Sequence, residues 1–144
     1  MKKLLLLVLS LTLLCGCSTK KIVSTDKAPA AIGPYSQAVI VGDTIYCSGQ
    51  IAIDPATNEF IGGDIVAQTK QVFSNIKGLL EAAGSSLNKV VKVNVFLADI
   101  NDFTTVNEIY ATYFEEGSYP ARSAMEVANL PKGALIEIEV TAIK

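Results

Sequence analysis

The stretch from Asp64 to Gly84 constrains the fold of this 144-residue chain more than any other. Ile65, Thr69, Val72, Phe73, Ile76, Leu79, Leu80 and Ala83 recur at helical spacing. Asp64 can cap the start of that helix, and Gly84 can end it. The apolar residues form one stripe, so the helix is a surface helix that packs its stripe into a core. Whatever surrounds it must supply an apolar face of matching size.

The flanking segments read as strands. Ala38 to Val41 and Thr44 to Ser48 are apolar runs joined by Gly42-Asp43, a two-residue loop of the II′ hairpin type. Asp54 to Asn58 is turn chemistry, and Gly62-Gly63 punctuates again. Val90 to Ala98 is β-branched and partly alternating, which predicts a strand. Asn101 or Asp102 can cap a second helix carrying Phe103, Val106, Ile109, Tyr110, Tyr113 and Phe114 on one face, with Gly117 as its end. Ser123 to Ala128 predicts a short strand and Ala134 to Ile143 a longer one. The order hairpin, helix, strand, helix, strand, strand predicts an α/β (α+β) sandwich, a mixed sheet with two helices on one face. The other face needs a cover, because strands this apolar rarely meet water on both sides. A second copy of the chain is the expected cover, so a homo-oligomer is predicted.

The first residues read as a targeting segment. Lys2 and Lys3 precede the apolar run Leu4 to Leu14, which is too short to span a bilayer as a helix. Leu14-Cys15-Gly16-Cys17 resembles a bacterial lipoprotein cleavage site, with Cys17 as the lipidated new N-terminus. The alternative is an ordinary secretory signal cleaved nearby. The expected organisation is a signal over 1–16, a lipidated tether over 17–27 and a folded domain over 28–144. That places the protein in the bacterial cell envelope, anchored by lipid on the extracytoplasmic side. Without Lys2 and Lys3, the 12 basic residues fall to 10 against 14 acidic ones, a net charge of −4. No basic stripe is present, which argues against a nucleic-acid partner. Cys47 would then be the one free thiol, in a strand-like run where cysteine serves as a small apolar filler.

The chain contains no histidine. Ser-His-Asp triads, Cys-His pairs and HExxH zinc sites are therefore excluded. It contains one arginine, Arg122, in Pro120-Ala121-Arg122-Ser123 with small neighbours. Arg122 is either a surface loop residue or a fork for a ligand carboxylate, a task lysine performs less well. Glu137 lies in the alternating run Leu135 to Val140 and shares a face with Glu139 and Thr141. It is either a solvated sheet charge or, if a subunit covers that face, a desolvated carboxylate able to act on water. Gly33-Pro34-Tyr35 is a tight turn followed by an aromatic. Ser48-Gly49 ends a strand where a ligand could approach the backbone closely.

Taken together these pieces form a series: Ile32-Gly33-Pro34-Tyr35-Ser36-Gln37-Ala38, Ser48-Gly49-Gln50-Ile51, Gln68, Asn75, Asn101-Asp102-Phe103, Asn107, Tyr110, Pro120-Ala121-Arg122-Ser123, Leu130-Pro131-Lys132-Gly133 and Ile136-Glu137-Ile138. The series closely resembles the RidA/YjgF family of reactive-intermediate deaminases, from about residue 25 to 144. The resemblance implies a chorismate-mutase-like fold and a homotrimer with ligand clefts between adjacent subunits. It implies hydrolysis of 2-imino acids or their enamine tautomers to 2-oxo acids and ammonia, with no metal or organic cofactor. By the same resemblance Arg122 holds the substrate carboxylate and Glu137 places or activates the attacking water. Tyr35, the cleft tyrosine, joins them as a catalytic residue, and Ser48, Gly49 and Asn107 bind the substrate. Two departures stand out: Ala124 occupies a position where many relatives have cysteine, and typical members are not exported. The alternative readings are a membrane-tethered protein that binds small carboxylates without turnover, or a holdase-like protein.

Overall fold

The computed structural model describes residues 19–144. The expected signal over 1–16 and the lipidation site Cys17 lie outside the described residues. The elements are β1 (Lys20–Val23), β2 (Ala38–Val41), β3 (Thr44–Cys47), β4 (Ile53–Asp54), β5 (Glu59–Phe60), α1 (Ile65–Ala82), β6 (Val90–Leu97), α2 (Phe103–Ala111), β7 (Ala121–Glu126) and β8 (Ile136–Ile143). Six strands form one sheet in the order β1-β2-β3-β8-β6-β7. Only β6 and β7 pair in parallel, with α2 as part of the crossover between them. The mixed sheet with two helices agrees with the expected architecture.

The local signals around α1 act as anticipated. The Ala67 N–H donates to Asp64 Oδ1 at 2.8 Å. At the other end Gly84 takes φ +81°, and the Ser85 N–H donates to the Leu80 carbonyl at 2.8 Å. Gly42 has φ +60° in the two-residue loop joining β2 and β3, as a II′ turn requires. Val72, Phe73, Ile76, Leu79 and Leu80 are fully buried in one core with Val93, Val95, Leu97, Ile136, Ile138 and Val140. Each such side chain contributes about 1.5–3 kcal/mol by leaving water.

The second helix differs from its expected form. Its entry is capped by Asp99, whose carboxylate accepts the Asn101 N–H at 2.9 Å and opens a 3₁₀ turn over Ile100–Asp102. Asp102 makes no side-chain cap. The helix ends at Ala111, where the Thr112 hydroxyl donates to the Ile109 carbonyl at 2.7 Å. Tyr113 and Phe114 still pack into the core from the following turn, so their helical spacing was a packing signal beyond the helix itself.

Part of the segment expected to be a tether is folded. Lys20–Val23 pairs antiparallel with β2 as an edge strand. Beyond it the Gln37 side chain, almost fully buried, grips the chain. Its Oε1 accepts the Thr25 N–H at 2.7 Å, and its Nε2 donates to the carbonyls of Thr25 and Pro29 at 2.9 and 2.7 Å. Gly78 in α1 lets this segment cross the helix: a Cβ there would strike the Lys27 carbonyl.

The sheet face away from the helices carries Tyr46, Met125, Glu137, Glu139 and Thr141. Tyr46 and Met125 are 51% and 41% exposed. The Asn94 amide donates to Glu139 Oε1 at 2.8 Å and the Lys92 amine to Ser123 Oγ at 2.9 Å on that face. No helix among the described residues is long and apolar enough to cross a membrane.

Candidate active site

Glu137, Tyr35, Ser48 and Gly49 meet at one cavity of about 260 Å³, whose walls also include Ala30, Ile32, Gln50, Ile51, Ile53 and Pro131. Three buried amides shape it. Asn75 donates from α1 to the carbonyls of Ile51 and Ile53 at 3.2 and 2.8 Å. The Gln68 Oε1 accepts the Leu135 N–H at 2.9 Å and fixes the chain entering β8. Gln50 exchanges backbone bonds with Ile138 at 2.9 and 3.0 Å, and its side chain donates to Ser48 Oγ at 3.1 Å. These amides explain why polar residues sit in otherwise apolar elements: they pair loop carbonyls that burial would leave unsatisfied.

Gly49 touches the Glu137 carboxylate. A Cβ at Gly49 would overlap Glu137 Oε1 and come within 2.8 Å of its Cδ. Its backbone needs no left-handed conformation, so a side chain there would be opposed by this contact alone, and Glu137 would have to move to admit it. Burial, and then the negative charge of Glu139, raise the Glu137 carboxyl above its ordinary value. No cation among the described residues forms an ion pair with it. Tyr35 is half-exposed at the cavity edge, and its hydroxyl accepts the Ile32 N–H at 3.3 Å.

Arg122 and Asn107 are elsewhere. They line a second cavity of about 310 Å³ with Tyr110, Tyr119 and Pro120. Arg122 pairs in register with Val93, whose side chain is buried on the helix side, so Arg122 also points to that side. Glu137 occupies the opposite face, two strands and three register positions away. Strand spacing alone puts roughly 14 Å between their backbones, with the sheet in between. Within one chain, no small acid reaches both. Sequence reasoning named both groups of residues but not their separation, which depends on strand register and on which face each residue takes.

The Arg122 guanidinium lies over the ring of Tyr110, 4.5 Å from its centroid, and 5.5 Å from that of Phe103. It forms no ion pair among the described residues. Asn107 Oδ1 and the Tyr110 hydroxyl are buried beside it without a hydrogen-bond partner. Cys47 is buried, and burial pushes its thiol up to about 12, which suits a packing role. Among the described residues no group of three His, Cys, Asp or Glu could hold a metal ion. The inventory is therefore a carboxylate of raised basicity in one cavity and an unneutralised guanidinium in another. That is enough to hold an acid and to take a proton from water.

Residues 25–144 match the family described as Endoribonuclease L-PSP. A RutC family protein of Pyrococcus abyssi is 58% identical over 125 residues, which cover 87% of this chain and 98% of that protein. The 2-iminobutanoate/2-iminopropanoate deaminase of Mus musculus is 55% identical over 125 residues, covering 87% of this chain and 92% of the relative. Among solved structures, a conserved Rid family protein, YyfA of Yersinia pestis, superimposes with a TM-score of 0.85 at 48% identity. That match covers 88% of this chain and all of the other.

Proposed function

This chain belongs to the RidA/YjgF family, and on that premise we propose that it hydrolyses 2-imino acids and their enamine tautomers to 2-oxo acids and ammonia. The observation that carries the proposal is the division of labour between the cavities. Arg122 offers unpaired N–H edges suited to a carboxylate, and Glu137 offers a base of raised pKa. A cleft between adjacent copies would join the two, with Arg122 and Asn107 from one and Glu137, Tyr35, Ser48 and Gly49 from its neighbour. The exposed Tyr46 and Met125 on the open sheet face support that assembly, expected to be a homotrimer. The relative from Mus musculus, named for 2-iminobutanoate and 2-iminopropanoate, supports the substrate class.

The reaction asks little of the protein. A protonated imine is electrophilic, so holding it still and delivering water is the main task. Arg122 fixes the acid end. Water oxygen bonds to the imine carbon while Glu137 takes one of its protons, worth about 10²- to 10⁴-fold as general-base help. The carbinolamine nitrogen is then protonated, its C–N bond breaks, and ammonia leaves as the oxygen gives up its proton to form the 2-oxo acid. With no histidine and a net negative charge, the chain offers poor equipment for cutting RNA.

The test uses the full chain in mild detergent, with imines made in situ by an amino-acid oxidase and their loss followed by semicarbazide trapping. Turnover should fall at least about 10²-fold in Arg122→Ala, the loss of a charged hydrogen-bonding clamp. A folded protein with no turnover on any of several side chains would refute the deaminase and leave carboxylate binding. We further place the protein in the cell envelope through a lipid on Cys17, three residues before β1 begins. Cys17→Ala should leave the membrane fraction after a salt wash; its retention would count against the anchor.

A further inference from the structure

Arg122 lines the second cavity with its guanidinium carbon over an aromatic ring, 4.5 Å from the centroid. The ring beneath it, Tyr110, comes from α2 and is almost wholly buried. Tyr110 is met edge-on by Phe73 at 5.8 Å and by the tilted ring of Phe114 at 4.7 Å. Phe73 is fully buried in α1 and stacks on Tyr113 at 4.2 Å. The guanidinium therefore rests on a platform tied into the core, although β7 is an edge strand.

The choice of partner has a chemical consequence. A carboxylate beside Arg122 would orient it but would also neutralise it and occupy the N–H edges a ligand needs. An aromatic face orients the same group through its quadrupole and leaves the charge and both edges free. The phenol does not supply a counter-charge: burial raises its pKa, outweighing the lowering pull of Arg122. Its hydroxyl has no hydrogen-bond partner, so the ring and not the oxygen is the working part.

We propose that Tyr110 is the positioning residue of the carboxylate clamp, its ring setting the plane of the Arg122 guanidinium so that the fork meets the ligand acid edge-on. The proposal rests on reading Arg122 as that clamp. It predicts an effect on binding that separates from chemistry, because water attack depends on Glu137 in the other cavity.

The experiment compares the full chain with Tyr110→Phe and Tyr110→Leu. It measures KM and kcat with 2-iminobutanoate, and by calorimetry the affinity for 2-oxobutanoate, which involves no turnover. Tyr110→Leu should raise both KM and the Kd for the oxo acid about tenfold, within the range of a desolvated cation over a ring, with kcat within about twofold. Tyr110→Phe should keep both within about twofold and melt no lower than the parent. Equal weakening by Phe and Leu would overturn the proposal by making the hydroxyl essential. So would an unchanged KM in Tyr110→Leu, or a fall in kcat alone. If Tyr110→Leu does not fold, Phe103→Leu carries the test, with about a threefold rise in Kd expected and no rise overturning the idea. Failure of the parent chain to bind any 2-oxo acid would instead refute Arg122 as a clamp.

Discussion

Gly49→Ala tests whether the Glu137 cavity is the reaction centre. The new methyl would overlap Glu137 Oε1 and sit 2.8 Å from Cδ and 3.1 Å from Cγ. Carbon atoms pack at about 3.5–4.0 Å, so the carboxylate must retreat by roughly 1 Å. Glu137 is a flexible side chain at the edge of a cavity, and turning it off its rotamer costs about 0.5–1.5 kcal/mol. Stability should fall little, by about 4 °C in Tm. Activity should fall far more, because a misplacement of about 1 Å costs on the order of 10²-fold, equivalent to about 2.7 kcal/mol of barrier. The assay is kcat/KM on 2-iminobutanoate in a double-mutant cycle with Glu137→Ala. Once Glu137 has been truncated, Gly49→Ala should add almost nothing. A Gly49→Ala enzyme within threefold of the parent would refute the reasoning, as would an undiminished second loss on top of Glu137→Ala.

Because the folded pKa of Glu137 lies above its unfolded value, the native state holds the proton more tightly. Stability is then lost as pH rises from the unfolded value through the folded one. Glu137→Gln should remove that loss, so melting curves at pH 4 and pH 7 should show its advantage over the parent growing at the higher pH; a constant difference would contradict the burial argument. Glu139→Gln removes a neighbouring negative charge and should shift the acidic limb of kcat/KM to lower pH, measured across a pH profile. Gly78→Ala should lower Tm despite a helix-propensity gain of about 1 kcal/mol, because overpacking against the Lys27 carbonyl costs about 1–3 kcal/mol; a rise in Tm would show that the 25–30 segment yields freely. Cys47 should resist alkylation at pH 8 in the native state and react once denatured, as mass spectrometry would show.

Elements whose signals are local were readable from the chain. Asp64, the apolar stripe and Gly84 define α1 by contacts within a few residues, and Gly42 defines its hairpin likewise. The start of α2 at Phe103 was legible, with Asp102 at the N-cap position, but its end was misplaced: Tyr113 and Phe114 keep the helical spacing past Ala111 because they pack into the core, which carried the expected end on to Gly117. β1 was missed because Lys20, Lys21 and Ser24 made its surroundings look solvated; its partner strand and the Gln37 amide, not its own composition, hold it. At the site, Arg122 and Glu137 stood out by rarity and alternation. Their placement on opposite faces is a product of register, and the Tyr110 platform joins residues twelve apart on different elements. Neither leaves a mark at any single position.

β8 follows every one of its partners in chain order yet lies near the middle of the sheet, between β3 and β6. Until Ile136–Ile143 is available, the chain can make only two unfinished ribbons, β1-β2-β3 and β6-β7, each with a bare edge facing the gap. Closing that gap joins Thr44 to Ile143, a pairing that spans most of the sequence and makes assembly slow compared with the hairpins. Clipping the final strand would accordingly not shorten the sheet from one side. It would cut the sheet in two, and the same strand would take Glu137 with it.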